Sequence, residues 1–367
     1  MVTASTNELH GGNIYKAAAQ YQIPSASLLD FSANINPLGI PAELKRLLTA
    51  NLDNLIHYPD PAATNLRRNI GRYLDVPAAQ IIPGNGASEI IFLLLATLRP
   101  KKVLLCAPTF AEYAKAAAAA GVVADYFPLA AAEGFQLRLA SFLARARDCD
   151  CIFLCNPNNP TSGLLEQDSL VDLLEHTGAT GTTVIIDEAF IELTVGGNRN
   201  SAVDLAAKYP HLFIIRAFTK IFAVPGLRLG YGIGAPGLVT AMWARKLPWS
   251  VNLLADSVGE YLAQAGEFLD ATAAWLRAEK EWFYERLGEI AKLEPYPPQT
   301  NFILLQLLDR DQKVAALQDK LARRGILIRD ASNFETLNEQ FFRLAIRSRA
   351  DNQRLLAELQ EVLAEST

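Results

Sequence analysis

Short, uninterrupted apolar runs recur along the chain, separated by stretches with helical spacing. Lys102–Ala107, Cys151–Cys155, Val184–Ile186 and Leu212–Ile215 show no alternation of apolar and polar residues, which marks strands covered on both faces. An apolar helix follows Gly86, and the Ala-rich stretch Glu112–Ala120 reads as a second helix, stopped by Gly121. Strands alternating with helices predict an α/β fold with a mostly parallel sheet sandwiched between helices. In such sheets functional groups collect at the carboxyl ends of the strands, where this chain carries Asn159, Asp187 and Lys220.

The pattern changes on either side of this region. Residues 1–40 show little helical periodicity and read as an N-terminal arm. Residues 41–255 form the large, strand-rich domain. Pro248-Trp249-Ser250-Val251-Asn252 marks a break, and a long helical region runs from there to about Leu293. Asn301–Leu307, Ile326–Ile328 and Phe341–Ile346 are strands, Val314–Arg323 is a helix, and a last helix covers about Ala350–Leu363. Residues 256–367 are thus a smaller α/β domain.

Composition narrows the function classes. With 50% hydrophobic and 20% charged residues, the 367-residue chain can bury large cores. A net charge of -5 argues against a nucleic-acid surface. The run Ile90–Leu98 is too short to span a bilayer, and MVTASTNELH has neither a basic nor an apolar signal region, so a cytoplasmic protein is expected. The spacing of Cys149, Cys151 and Cys155 fits no common zinc pattern. Four isolated histidines offer no ligand pair, and no metal is expected.

Candidate chemistry centres on Arg216–Gly230. Lys220 sits on a turn at a strand end, beside Thr219, and Arg228 returns eight residues later behind Pro225-Gly226. An apolar setting disfavours the ammonium form and makes the amine a usable nucleophile. A nearby arginine suits a phosphate. That combination is what pyridoxal 5'-phosphate requires; an exposed loop with two ordinary cations is the other reading, and this stretch alone leaves both open. Gly84-Asn85-Gly86-Ala87-Ser88 offers backbone N–H groups and a helix start to a phosphate. Asp187 follows a buried strand, where a carboxylate could pair with a pyridinium or cap a helix. Phe110 could stack on a ring or belong to the core. Arg329 and Arg343 could grip a substrate with two anionic groups or form surface ion pairs.

These motifs resemble fold type I pyridoxal-phosphate enzymes of the aminotransferase class I/II group. The resemblance rests on H-G-G-N at 10–13, D-F-S-A-N-I-N-P-L-G at 30–39, N-P-N-N-P-T-S-G at 156–163, D-E-A-F at 187–190, T-K…P-G-L-R-L-G-Y at 219–231, P-W-S-V-N at 248–252 and I-L-I-R…F-R-L-A-I-R-S at 326–348. Within the group the chain looks most like the L-threonine-O-3-phosphate decarboxylases of cobalamin biosynthesis. Histidinol-phosphate aminotransferases are the nearest relatives; they usually carry Glu in place of Ile35 and Tyr in place of Phe190, and lack the H-G-G-N start. The resemblance implies that Lys220 carries the cofactor, Asp187 pairs with its ring nitrogen and Asn159 with its phenolate oxygen. It further implies that Gly86, Ala87, Ser88, Thr219 and Arg228 hold the phosphate, and that Tyr58 reaches the cofactor of a neighbouring subunit in a homodimer. Arg343 would bind the substrate carboxylate; Arg329, His10, Gly11 and Asn34 would hold the substrate phosphate. Ala217 departs from the pattern, standing where relatives carry a phosphate-binding hydroxyl.

Overall fold

In the computed structural model, which describes residues 11–365, the apolar runs assemble into one seven-stranded sheet. Its spatial order is Ile81–Asn85, Leu229–Ile233, Leu212–Ala217, Thr183–Asp187, Cys151–Cys155, Lys102–Ala107 and Val123–Pro128. Leu229–Ile233 pairs antiparallel with both neighbours; the others run parallel. The continuous apolar runs now have a physical reason. Leu104, Ile152, Ile186 and Ile214 pack into a core on one face, while Val103, Phe153, Ile185 and Phe213 pack into a second core on the other. The edge strand Val123–Pro128 has no buried residue, so its sequence lacks the run that exposed the others.

A second, antiparallel sheet has the order Arg329–Asp330, Phe341–Ala345, Phe302–Leu307, Leu293–Pro295. It shares a separate core with Leu276, Phe283, Leu317 and Leu355 from flanking helices. Three sequence expectations need correction here. Ile326–Ile328 is not one strand leading into Arg329: Ile326–Leu327 pairs in parallel with Leu29–Asp30, whereas Arg329–Asp330 joins the antiparallel sheet. The long helical region breaks into Ala255–Tyr261 and Gly266–Gly288, joined by a 3-10 turn. Finally, the arm holds a helix, Ile14–Tyr21, whose residues are all at least partly exposed. Asn13 caps it by accepting from the Lys16 N–H at 3.1 Å. A two-turn helix without a buried stripe leaves little periodicity to read.

The arm nevertheless packs into the small-sheet core and hydrogen-bonds to the turn that carries Lys220. Phe31 is buried among the small-sheet residues. Asn36 donates its side-chain amide to the Ile221 carbonyl and to Thr272 Oγ1, both at 2.9 Å, and its backbone N–H to the Lys220 carbonyl at 3.1 Å. The turn that carries Lys220 is thereby tied to a loop nearly two hundred residues earlier. Among the described residues, no helix is long and apolar enough to cross a membrane.

Candidate active site

A cavity of about 370 Å³ opens at the carboxyl ends of the large-sheet strands. Thr183–Asp187 delivers Asp187, Leu212–Ala217 leads into a one-turn helix carrying Thr219 and Lys220, and the helix Gly86–Leu98 starts at its wall. Gly11, Asn34, Phe110, Asn159, Arg228, Arg329 and Arg343 line it as well, together with Gly86, Ala87 and Ser88. Two further predicted residues remain. His10 lies outside the described residues. Tyr58 is 81% exposed, its ring 5.0 Å from that of Trp249, so it does not enter its own chain's cavity. Both phenylalanines of the sequence pattern, Phe110 and Phe190, line the cavity, and Phe190 also packs edge-on to Phe302 at 5.0 Å.

The wall around Gly86 is built to admit a compact anion. Gly86 has φ +78°, and a Cβ there would stand 2.5 Å from Arg228 Nη2. Gly230 is needed one strand away, because its Cβ would collide with the Ala87 backbone N at 2.3 Å. Arg228 itself adopts φ +55°, which returns the guanidinium to the helix start. The first N–H groups of the helix and its dipole add to that positive end. Ala217 is buried at the same place and offers no hydroxyl, as its sequence states.

Electrostatics separate the groups. Burial, reinforced by Arg343 and then Arg228, pulls the Lys220 amine down to about 8. Burial pushes Asp187 up to about 6, against hydrogen bonds from the Tyr113 hydroxyl at 2.8 Å and the Ala189 N–H at 2.9 Å. Neither of these partners is a cation. A buried carboxylate held by neutral donors alone fits a protonated ring nitrogen, which would supply the missing positive charge.

The small sheet contributes the two arginines side by side. Arg329 and Arg343 are direct cross-strand neighbours, and each is 6% exposed. Like charges in register are unfavourable unless an anion lies between or beside them. Burial first, and Arg329 second, lower Arg343 to about 9. Arg343 donates to Asn159 Oδ1 and to the Ser32 carbonyl, the latter at 2.8 Å, and its Nε is buried without a partner, as is Asn34 Oδ1. Arg329 donates to Asn333 Oδ1 at 2.8 Å and lies 5.2 Å over the Phe334 ring. Both arginines are therefore buried rather than surface residues.

Sequence reasoning missed Tyr113, Ser32, Cys155 and Phe334, which also line the cavity. Tyr113 lies one helical turn after Phe110, but inside an Ala-rich helix its type alone signals only core.

The family model for "Aminotransferase class I and II" matches residues 26–359. The chain belongs to this family. The aminotransferase class I and II family is pyridoxal-phosphate-dependent, and the mixed, mostly parallel seven-stranded sheet is that of fold type I. Among its members, the chain is similar to a threonine-phosphate decarboxylase of Salmonella typhimurium, 40% identical over 97% of each chain. Two solved structures are similar to it. A histidinol-phosphate aminotransferase from Clostridium acetobutylicum is 34% identical, with TM-score 0.85 over 91% of this chain and 99% of that one. An L-threonine-O-3-phosphate decarboxylase from Porphyromonas gingivalis is 26% identical, with TM-score 0.81 over 92% of this chain and 100% of that one.

Proposed function

We propose that the chain is a pyridoxal-phosphate-dependent carboxy-lyase that converts L-threonine O-3-phosphate to (R)-1-amino-2-propanol O-2-phosphate and CO2 in cobalamin biosynthesis. One observation carries the substrate class: the buried, adjacent cations Arg329 and Arg343 open onto the cavity that holds Lys220. They match a small substrate with two anionic ends. Similarity to a decarboxylase over nearly the whole chain supports the reaction type.

The cofactor, when bound, supplies a conjugated ring that takes up the electron pair left at the substrate's α-carbon. The chain supplies everything else. Lys220 offers a largely neutral amine above about pH 8 to the cofactor's aldehyde and later carries a proton at Nζ. Asp187 holds the ring nitrogen's proton, and Asn159 Nδ2 is available to the ring's phenolate oxygen while its Oδ1 accepts from Arg343. The Gly86-Ala87-Ser88 helix start, Thr219 and Arg228 hold the cofactor phosphate. Arg343 takes the substrate carboxylate, and Arg329, with Gly11, Asn34 and His10, takes the substrate phosphate. Gripping both ends would fix the orientation of the substrate's α-carbon in the cavity, and that orientation selects loss of CO2 over loss of a proton.

The proposal includes a homodimer with shared sites. Ile56 is 83% exposed, and Leu52, Leu55, Leu247 and Trp249 are exposed near Tyr58 in the sequence segments 52–58 and 247–249. Such a concentration of large apolar side chains suits a partner surface. Its proposed divisions are the arm of residues 1–40, the large cofactor-binding domain of residues 41–255 and the small domain of residues 256–367. Four free cysteines support a cytoplasmic setting.

The aminotransferase reading is kept because of the likeness to the Clostridium structure. The two separate in one assay. Purified enzyme with pyridoxal phosphate is given L-threonine O-3-phosphate with and without 2-oxoglutarate, and CO2 and glutamate are followed. CO2 release independent of 2-oxoglutarate is expected. Glutamate without CO2 overturns the decarboxylase, and histidinol phosphate then becomes the substrate to test.

A further inference from the structure

Asp187 receives two hydrogen bonds of different character. That from Ala189 is local to its own turn. That from Tyr113 joins the helix Glu112–Ala119 to the end of the strand Thr183–Asp187, 74 residues further along the chain. Tyr113 is fully buried, stacked on Phe153 at 4.3 Å between ring centroids and edge-on to Phe110 at 5.5 Å. Packing on both sides leaves the ring a single orientation, and in it the hydroxyl points at Asp187 Oδ2. Helix and strand meet in the cavity wall, so the bond sits where the cofactor ring would lie.

We propose that Tyr113 is a positioning residue for the cofactor: its hydroxyl keeps the Asp187 carboxylate ionised and aims it at the bound ring's nitrogen. The inference rests on the cofactor assignment above. The physics is an opposition of two effects. Burial disfavours the charged carboxylate, and a hydrogen bond donated to it favours the charged form. The phenol remains a donor throughout, since burial and then the neighbouring carboxylate push its own pKa well above the usual phenol value. The other titratable groups around Asp187 are few. Cys155, from the adjacent strand, also meets the Tyr113 hydroxyl and is kept as a neutral thiol by burial. Lys220, Arg228, Arg329 and Arg343 line the same cavity from other elements, and Glu112 lines it from Tyr113's own helix. Without the Tyr113 hydroxyl, Asp187 would keep only the Ala189 N–H, and its neutral form, a weaker partner for a protonated ring nitrogen, would be favoured. Its free oxygen could also rotate away from the ring. Nothing else in the mechanism uses Tyr113, whose buried phenol would otherwise be an unneeded polar group in an Ala-rich helix.

The test is a titration of apoenzyme with pyridoxal phosphate, read by quenching of intrinsic fluorescence across a pH series. Tyr113→Phe keeps the ring and its stacking and removes one O–H. It is expected to bind the cofactor roughly tenfold more weakly near neutral pH, the size of one lost hydrogen bond to a charged group. The pH below which affinity falls should also move upward. Tyr113→Ala, which removes the ring as well, reports on packing. If Tyr113→Phe binds with wild-type affinity and an unmoved pH midpoint while Tyr113→Ala is impaired, Tyr113 is a packing residue and the inference is overturned. Asp187→Asn in the same titration separates the two levels: wild-type cofactor affinity in that variant overturns the assignment of Asp187 to the ring nitrogen itself.

Discussion

Lys220 is the side chain whose chemistry depends most on where the fold puts it. In water its amine would be almost wholly protonated at neutral pH; walled in and facing Arg343 and Arg228, it titrates near 8. The sign follows directly. The neutral amine is the nucleophile, and it accumulates as pH rises through that value. Capture of pyridoxal phosphate by apoenzyme, followed by stopped-flow absorbance, should therefore accelerate from pH 7 to pH 9 with a midpoint near 8, where an exposed lysine would still be rising above pH 10. A midpoint unchanged from that of free lysine would show that Lys220 is not enclosed as described. Gly86 is as specific as Lys220 in its own way. Its left-handed backbone strains any other residue, and a Cβ there, 2.5 Å from Arg228 Nη2, would push the guanidinium aside. The sequence pattern G-N-G-A-S shows that a glycine is there; only the fold shows what it makes way for.

Among the elements, the strand Leu212–Ala217 and the turn after Thr183–Asp187 are joined beneath the site by a buried ion network. Arg216, fully buried, lies 2.5 Å from Glu192 Oε1 and 3.9 Å from Glu188 Oε2. Glu188 also accepts from the Ser201 hydroxyl and the Ala202 N–H. Burial nonetheless pushes Glu188 up to about 7, so one arginine sustains two carboxylates at the limit of what it can hold. Arg216→Leu removes the cation and strands both. It should destabilise the protein by about 3–5 kcal/mol, read as a lower denaturant midpoint, whereas the triple replacement of Arg216, Glu188 and Glu192 by apolar residues should recover much of the loss. A single variant as stable as wild type would show that the network carries little. The same network fixes the backbone on either side of Asp187 and Lys220, since Glu188 and Arg216 are near neighbours of both in sequence.

At the scale of the whole molecule the question is whether one chain makes a complete site. Tyr58 stands outside its own cavity, on a surface rich in exposed Leu and Ile. If subunits share sites, Lys220→Ala and Tyr58→Phe should each be impaired alone, and a mixture refolded together should regain activity in hybrid dimers. Recovery absent from the mixture, with both variants dimeric by sedimentation, would place Tyr58 outside the site. Ile56→Asp should shift the sedimentation coefficient toward monomer, because a buried unpaired carboxylate is costly at an apolar interface.

How much could be read in advance differs by element for physical reasons. Lys102–Ala107, Cys151–Cys155 and Val314–Arg323 match their sequence bounds residue for residue, because both faces of the first two are buried and the third has a clean amphipathic stripe. Asp187 and Lys220 were legible as candidate chemistry because they stand at the ends of apolar strands, and Arg228 because it returns eight residues after Lys220 behind Pro225-Gly226. The edge strand Val123–Pro128 and the arm helix Ile14–Tyr21 were not, since neither buries a face. The split of Ile326–Asp330 between two sheets was invisible because the apolar run Ile326–Ile328 leads straight into Arg329 with no glycine or proline to mark the change of partner. Sequence by itself determined the alternating α/β order, the standing of Asp187 and Lys220 at the ends of buried strands and the glycine turn that opens the helix Gly86–Leu98, which are encoded in local runs and their ends. Only tertiary structure decided that Arg329 and Arg343 stand buried in register, that Tyr113 reaches Asp187, and that Asn36 ties the arm to the lysine's turn. Those are contacts between residues far apart in the chain, and no local pattern records which distant partner a side chain will meet.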